Sequence, residues 1–425
     1  MTIFLLFLSL LAAPSAASAG SADPGRAAEK AAVLVADSPA GAEELFTAEF
    51  FRHISLDRLN ALFHDLYAGQ GPVKTVVLSS SGPYSGHYFF DTEQGWRIPA
   101  AVSVDPQSGR ISGLFFGNPY RLDAKLADVG KELSALPGRK GLLVERLGKA
   151  PETLESLSPD EESAVGSAFK LYVLAAAVKA GLPWERVVKL RGVDRSLPTG
   201  RLQEWPAGSP LTVHTLATMM ISESDNTASD ALISEVGRET IERSLPALGH
   251  SAPERLRPFL KTSEMFRLKS DTAAALKYMN LSKGDKYAYL RSMSQELPRA
   301  ERLNQSPFGI DKIEWFASPA DLCRLMGWFA ERGGEALGIL AVNPGLKEAS
   351  EGFVYAGYKG GSEPGVLSMT WLLRDKGGEW LCLSSSWNDP AHNLDEDRFF
   401  GLMGSALRAL ATRPAAERPG GSVGP

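Results

Sequence analysis

Cysteine is nearly absent from this chain of 425 residues. Only Cys323 and Cys382 occur, too few for a disulfide framework or a zinc cluster. Histidine is scarce too. The six residues His53, His64, His87, His214, His250 and His392 include no metal-spaced pair and no His-Glu-x-x-His run. Metal-dependent hydrolysis is therefore disfavoured, and no cofactor is expected. No Gly-x-Ser-x-Gly elbow occurs within residues 1–412, which disfavours an α/β-hydrolase. An excess of positive charge is missing as well. The formal net charge of −5 gives no reason to expect nucleic acid as a partner. The apolar run Ile3–Ala13 is shorter than the ~20 residues needed to span a bilayer, and no later run is apolar for long enough to do so.

The chain is 44% hydrophobic and 22% charged, ordinary values for a globular protein. Its length points to two or three domains. Met1–Ala19 has an apolar core followed by small residues, and Ala17-Ser18-Ala19 fits an A-x-A cleavage site. The segment lacks the usual Lys or Arg before the apolar run, so an uncleaved apolar N-terminus is the alternative. We read 1–19 as a signal peptide and expect a periplasmic or secreted protein with no stable membrane anchor after cleavage. Residues 20–42, rich in Ala, Gly, Ser, Asp and Pro, read as a tether. Residues 413–425 read as a disordered tail.

Residues 43–119 read as an α+β domain. Helical periodicity runs through Glu43–Arg52 and Leu56–Tyr67. Four strand-like runs follow at Lys74–Ser79, His87–Asp91, Trp96–Asp105 and Arg110–Phe116, separated by Gly-, Pro- and Asp-containing turns. This order resembles an NTF2-like or steroid-isomerase-like domain. The resemblance is one of pattern and carries no catalytic residues. A structural or docking domain is the favoured reading.

Three short motifs carry the chemistry, all within residues 122–412. Ser167-Ala168-Phe169-Lys170 opens the apolar run Leu171–Ala180, which ends at Gly181. This reads as a buried helix with Ser167 and Lys170 one turn apart on one face. A buried lysine has a lowered pKa and can act as a neutral base for a serine hydroxyl. Alternatively, Ser167 is only an N-cap beside an unrelated lysine. Ser224-Asp225-Asn226 lies 57 residues on, between an expected helix Leu211–Ile221, begun at Ser209-Pro210, and a second over Thr227–Val236. It could equally be a plain cap and loop. Lys359-Gly360-Gly361-Ser362 ends an expected strand, Phe353–Lys359, and begins a hairpin to Val366–Arg374 and Trp380–Trp387. Glycine-rich strand ends also occur without function.

Taken in order, the three motifs resemble the Ser-x-x-Lys, Ser-Asp-Asn and Lys-Thr-Gly signature of class A β-lactamases and penicillin-binding proteins. Met219–Leu232 extends the likeness to the class A segment. With the N-terminal unit, the chain looks most like the two-domain β-lactamase-like proteins of clavulanate-type gene clusters. The resemblance implies an α/β β-lactamase/transpeptidase-like domain, with an antiparallel sheet flanked by helices plus an all-α subdomain. It implies Ser167 as nucleophile, Lys170 as its base, and Ser224 as proton relay. Asn226 would bind the substrate amide or position Lys170, and Lys359 would bind a substrate carboxylate. The oxyanion hole would come from the backbone of Ser167 and of Ser362, with Gly361 beside it.

The chain departs from that family in three ways. The third motif is Lys-Gly-Gly. Ser224 and Lys359 lie 135 residues apart, more than the pattern implies, and the excess is expected in a helical stretch, Asp271–Ile310. Most important, no Glu-x-x-Leu-Asn segment supplies a deacylating glutamate. Glu301-Arg302-Leu303-Asn304 is one residue short and too far along. Glu264, after Thr262-Ser263, reads as a helix-capping residue, and Glu254 is the other candidate. Slow β-lactam turnover and acyl transfer from esters or amides are expected, with a small-molecule acyl substrate as the partner. A D-Ala-D-Ala carboxypeptidase and a non-turnover β-lactam-acylated sensor are the competing readings. Trp205 and Arg201 are candidates for the rim of the site.

Overall fold

Alanine is the strongest helix former and carries the smallest side chain that can still be buried. That decides the fate of the segment read as a tether. In the computed structural model, which describes residues 22–294, 296, 298 and 303–413, Pro24–Val33 is a helix, α1. Asp23 caps it by accepting the Gly25 N–H at 2.9 Å, and Pro24 sits at its first position. Ala27, Ala28, Ala31 and Ala32 form a buried stripe against the first sheet. The segment is therefore part of a folded unit, because its alanines recur at helical spacing. The signal segment 1–19 and all but the first residue of the 413–425 tail lie outside the described residues. No helix among the described residues is long and apolar enough to cross a membrane.

The chain divides into two compact units, Met1–Leu122 and Asp123–Pro425. In the first, α1 is followed by a short helix α2 (Ala42–Leu45), a 3-10 turn at Phe50–Arg52 and α3 (Leu56–Gln70). The single helix expected over Glu43–Arg52 is thus broken in two. An antiparallel meander follows, β1 (Val73–Ser81), β2 (Ser85–Thr92), β3 (Trp96–Val104) and β4 (Ile111–Phe116), with a short β5 (Tyr120–Arg121) paired to β3. Alternation is clear in β3, where Ile98, Ala100, Val102 and Val104 all face the core. They meet Phe46, Leu59, Phe63, Phe90 and the α1 alanines.

The second unit starts with α4 (Leu126–Ser134), β6 (Arg139–Arg146), β7 (Glu152–Leu157) and β8 (Ser163–Ala164). A 3-10 turn at Gly166–Phe169 leads into α5 (Lys170–Lys179). The ribbon β9 (Val187–Lys189) and β10 (Pro210–Thr212) comes next. Then follow α6 (Val213–Ser222), α7 (Asn226–Val236), α8 (Arg238–Ser244), α9 (Thr262–Lys269), α10 (Thr272–Met279) and α11 (Lys283–Ser292). A bridge strand β11 (Phe316–Ala317) precedes α12 (Pro319–Arg332), α13 (Ala336–Ala341) and α14 (Lys347–Gly352). The chain closes with β12 (Tyr355–Glu363), β13 (Val366–Arg374), β14 (Trp380–Asn388) and α15 (Glu396–Ala411).

Some expected limits move. The helix placed from Ser209-Pro210 starts at Val213, because Pro210–Thr212 pairs with β9 and the Thr212 hydroxyl caps the helix by accepting the Thr215 N–H. The stretch Asp271–Ile310, expected to be helical, holds α10 and α11. Asp271 and Ser282 cap them separately.

The five-stranded sheet has the antiparallel order β12-β13-β14-β6-β7. Nearly every residue of β13 and β14 is buried, so the sheet is covered on both faces. Leu367, Met369, Trp371 and Leu373 point to the side of α4, α14 and α15, where they meet Val129, Leu133, Phe399 and Leu407. Val366 and Leu372 point the other way, into a core shared with α5, α6, α7 and α12. A disulfide, Cys323–Cys382, ties α12 to β14. The helix α5 is apolar all round and is buried from Lys170 to Ala177. It runs through the middle of the helical subdomain, which puts the residue at its first position, Lys170, deep inside the protein.

Candidate active site

Burying a lysine ammonium without an ion pair costs several kcal/mol, and the usual outcome is a lowered pKa. Two lysines of this unit are in that position. Lys170 is fully buried at the start of α5. Its Nζ lies 2.7 Å from Ser224 O, 2.7 Å from Asn226 Oδ1 and 3.1 Å from Ser224 Oγ. Lys359, on β12, is 4% exposed. Its Nζ lies 3.1 Å from the same Ser224 Oγ and donates to Gly360 O at 2.6 Å. Burial pushes Lys359 down to about 7. Burial, and after it the Lys359 charge, holds Lys170 well below the ordinary lysine range. Both amines are thus shifted toward the neutral form. Ser224 Oγ stands between the two, 3.1 Å from each Nζ.

The turn that carries Ser224 is built for this placement. Ser224 adopts φ +55°, a left-handed conformation that costs a non-glycine residue on the order of 1–3 kcal/mol. Its carbonyl accepts from both Lys170 and the Thr199 hydroxyl, the latter at 2.8 Å. Asp225 is buried and caps α7 by accepting the Ala228 N–H at 2.8 Å. Its other oxygen accepts the N–H groups of Arg201 and Leu202, which lashes the 199–202 loop to the turn. Asn226 donates to Leu197 O at 2.9 Å, so its amide oxygen is turned toward Lys170. Behind them the buried Asp230 accepts the N–H groups of Thr262 and Ser263 at 2.7 and 2.9 Å. Thr262 Oγ1 also donates to the Asn226 carbonyl at 3.1 Å.

Ser167 sits in the 3-10 turn one step before α5, partly exposed while its neighbours are buried. The turn is held from below, where the Val165 N–H donates to Trp315 O at 3.0 Å. Gly361 on β12 presses against it so closely that any Cβ would overlap Val165 O and Ser167 N. That contact explains glycine at position 361 and brings the backbone of Ser362 beside Gly166. The Lys359–Ser362 motif lies within β12 rather than at its end. Lys359, Gly361 and Glu363 therefore alternate onto one face, the face of Ser167 and Ser224. Ser167, Lys170, Ser224, Asn226, Lys359, Gly361 and Ser362 are thus brought together from four separate elements.

The other candidates fall elsewhere. Glu264 accepts the Lys261 N–H at 2.8 Å, capping α9, and pairs with Arg238 at 2.6 Å. Glu254 is exposed in a one-turn 3-10 helix. Glu301 lies outside the described residues, and Asn304 donates to Lys269 O at 3.0 Å. Arg201 pairs with Glu223 next to Ser224, at 3.0 Å. Trp205 is exposed, and its carbonyl accepts from Arg195. Sequence reasoning missed Asp225 as the loop anchor and missed the disulfide. It also missed a buried cluster of Lys269, Glu314 and Glu363. The alternation of Lys359, Gly361 and Glu363 along one strand was the available signal for the last.

The model of the beta-lactamase enzyme family matches residues 121–305. The second unit therefore has a β-lactamase/transpeptidase-like fold of antiparallel sheet and helices. Among solved structures, PBP-A is similar at 16% identity, over 68% of this chain and 96% of that one, with a TM-score of 0.46. A beta-lactamase from Sphaerobacter thermophilus is similar at 19% identity over 67% and 94%, with a TM-score of 0.46. The extended-spectrum beta-lactamase TLA-3 is similar at 12% identity over 67% and 96%, with a TM-score of 0.48. No curated protein matches the chain in sequence.

Proposed function

We propose that this chain is an exported serine hydrolase that works through an acyl-enzyme on Ser167, with an ester, amide or β-lactam as acyl donor. The observation that carries the reading is the pair of buried lysines sharing Ser224 Oγ, each 3.1 Å from it. Neutral Lys170 takes the Ser167 hydroxyl proton as Oγ bonds to the carbonyl carbon. The resulting oxyanion is held by the Ser167 and Ser362 N–H groups. Removing one such donor costs roughly 3–4 kcal/mol in comparable enzymes. The proton then passes from Lys170 through Ser224 to the leaving nitrogen or oxygen, whose bond to carbon breaks. Lys359 in its charged form binds a donor carboxylate. Asn226 holds Lys170 in place.

Deacylation is slow in this reading, because both Glu264 oxygens are spent on the α9 cap and on Arg238. The same observation favours a long-lived adduct as the second reading. Export is supported by the single disulfide, since such bonds persist in oxidising compartments. The first unit, its interior filled by Phe46, Phe63 and Phe90, is read as an NTF2-like structural or docking domain. Intact-mass spectrometry after mixing with a cephalosporin and with small esters tests the scheme. A Ser167 adduct is expected, lost in Ser167→Ala. Lys170→Ala is expected to slow acylation by roughly 10²–10⁴-fold. No adduct and no turnover with any donor would sink the catalytic reading.

A further inference from the structure

Three charged side chains buried together require a reason, because buried ion pairs are weak contributors to stability. Lys269 ends α9, Glu314 precedes β11 by two residues, and Glu363 ends β12. Their side chains are 6%, 0% and 9% exposed. Lys269 Nζ donates to Glu314 at 3.2 Å and pairs with Glu363. The Glu314 carboxylate also accepts the Trp315 N–H at 3.0 Å. None of the three takes part in the acyl-transfer scheme.

Their positions in the chain connect them to it. Glu363 follows Ser362 directly and shares a strand face with Lys359 and Gly361. Glu314 lies next to Trp315, whose carbonyl holds the Val165 N–H under the Ser167 turn. The cluster therefore ties the strand that carries the Ser362 amide to the segment that holds the base of the Ser167 turn. We propose that Glu363, anchored by Lys269 and Glu314, is a positioning residue that fixes the β12 edge against the Ser167 turn and so sets the oxyanion hole. This inference rests on the acyl-enzyme reading above.

The charge state of the cluster follows from its surroundings. Burial, and next to it the Glu314 charge, pushes the Glu363 carboxyl well up. Burial works against the Lys269 charge, but the two carboxylates outweigh it and keep its pKa above the ordinary value. Lys269 thus remains an ammonium that donates to both carboxyl groups, and the upward push on Glu363 favours a proton at its contact with Glu314. Glutamine reproduces that pattern of one acceptor and one donor. Leucine fills the space and offers neither.

The test compares the native chain with Glu363→Gln and Glu363→Leu by stopped-flow labelling with a fluorescent penicillin. The limiting acylation rate is separated from the half-saturating concentration, and thermal midpoints are measured beside them. Glu363→Leu is expected to lower the limiting rate tenfold or more, with half-saturation changed by less than threefold. Glu363→Gln is expected to stay within threefold of native in both. If Glu363→Leu does not fold, Glu363→Ala carries the same expectation. A native limiting rate in a folded Leu or Ala variant would overturn the positioning role, as would an equal loss in Gln and Leu. No labelling of the native chain by any acyl donor would instead overturn the acyl-enzyme reading on which it rests.

Discussion

Replacing Lys359 by methionine keeps an unbranched stem of similar length and removes the ammonium. The consequence for stability can be worked out from burial. Lys359 is 4% exposed, and burial pushes its pKa from 10.5 to about 7. The folded protein therefore releases this proton near pH 7, while the unfolded chain holds it to about pH 10.4. Between those values the unfolded state binds more protons, so stability rises with pH. At ~1.4 kcal/mol per unit, the gain from pH 7 to pH 9.5 is about 3 kcal/mol. Lys170, whose pKa is lowered in the same direction, titrates in both proteins. The assay is urea unfolding at a series of pH values, followed by tryptophan fluorescence. Only Trp96 of the eight tryptophans lies outside the second unit, so the signal reports the unit that holds the site. Native stability should climb relative to Lys359→Met across this window, and the variant should be the more stable of the two at pH 6. Parallel pH profiles would refute the claim that Lys359 is buried at a cost for the sake of the site.

The same pKa governs substrate binding. For a donor that bears a carboxylate, half-saturation should rise as pH passes about 7 and Lys359 loses its charge, whereas a neutral ester should show no such rise. Equal pH profiles for the two donors would remove Lys359 from carboxylate recognition. Replacing both Cys323 and Cys382 by serine opens a loop with a sequence separation of 59, which the chain-entropy account puts at about 4 kcal/mol of stability. A urea midpoint unaltered in the double variant would show that the cross-link between α12 and β14 contributes nothing.

The three motifs, the apolar helix behind Lys170 and the strands β13 and β14 were legible because each is a local pattern. Hydrophobic periodicity and turn chemistry act over a few residues, and Val366–Arg374 emerged with its limits correct. What escaped was decided by partners distant in the chain. The alanines of α1 read as linker because their burial depends on a sheet formed some fifty residues later. Pro210–Thr212 read as a helix start because its partner strand β9 lies on the far side of a twenty-residue loop. The Lys359 motif was placed at a strand end because its glycines signal a break. Here they allow close approach instead, with Gly361 flush against the Ser167 turn.

The same distinction bears on the missing glutamate. Its absence was first a statement about a motif, and a motif can be replaced by a residue from anywhere in the fold. The structure narrows that freedom. Glu264 is held as a cap and an ion-pair partner, so using it as a base would uncover Arg238 and the Lys261 N–H together. Glu363 faces the correct side of β12, but its carboxyl is pushed toward the protonated form and is occupied by Lys269 and Glu314. A carboxyl engaged in this way is a poor base for water. On the proposed acyl-enzyme reading, the Glu363 carboxyl is therefore suited to holding the β12 edge in place, and acylation is the half of the reaction this arrangement favours.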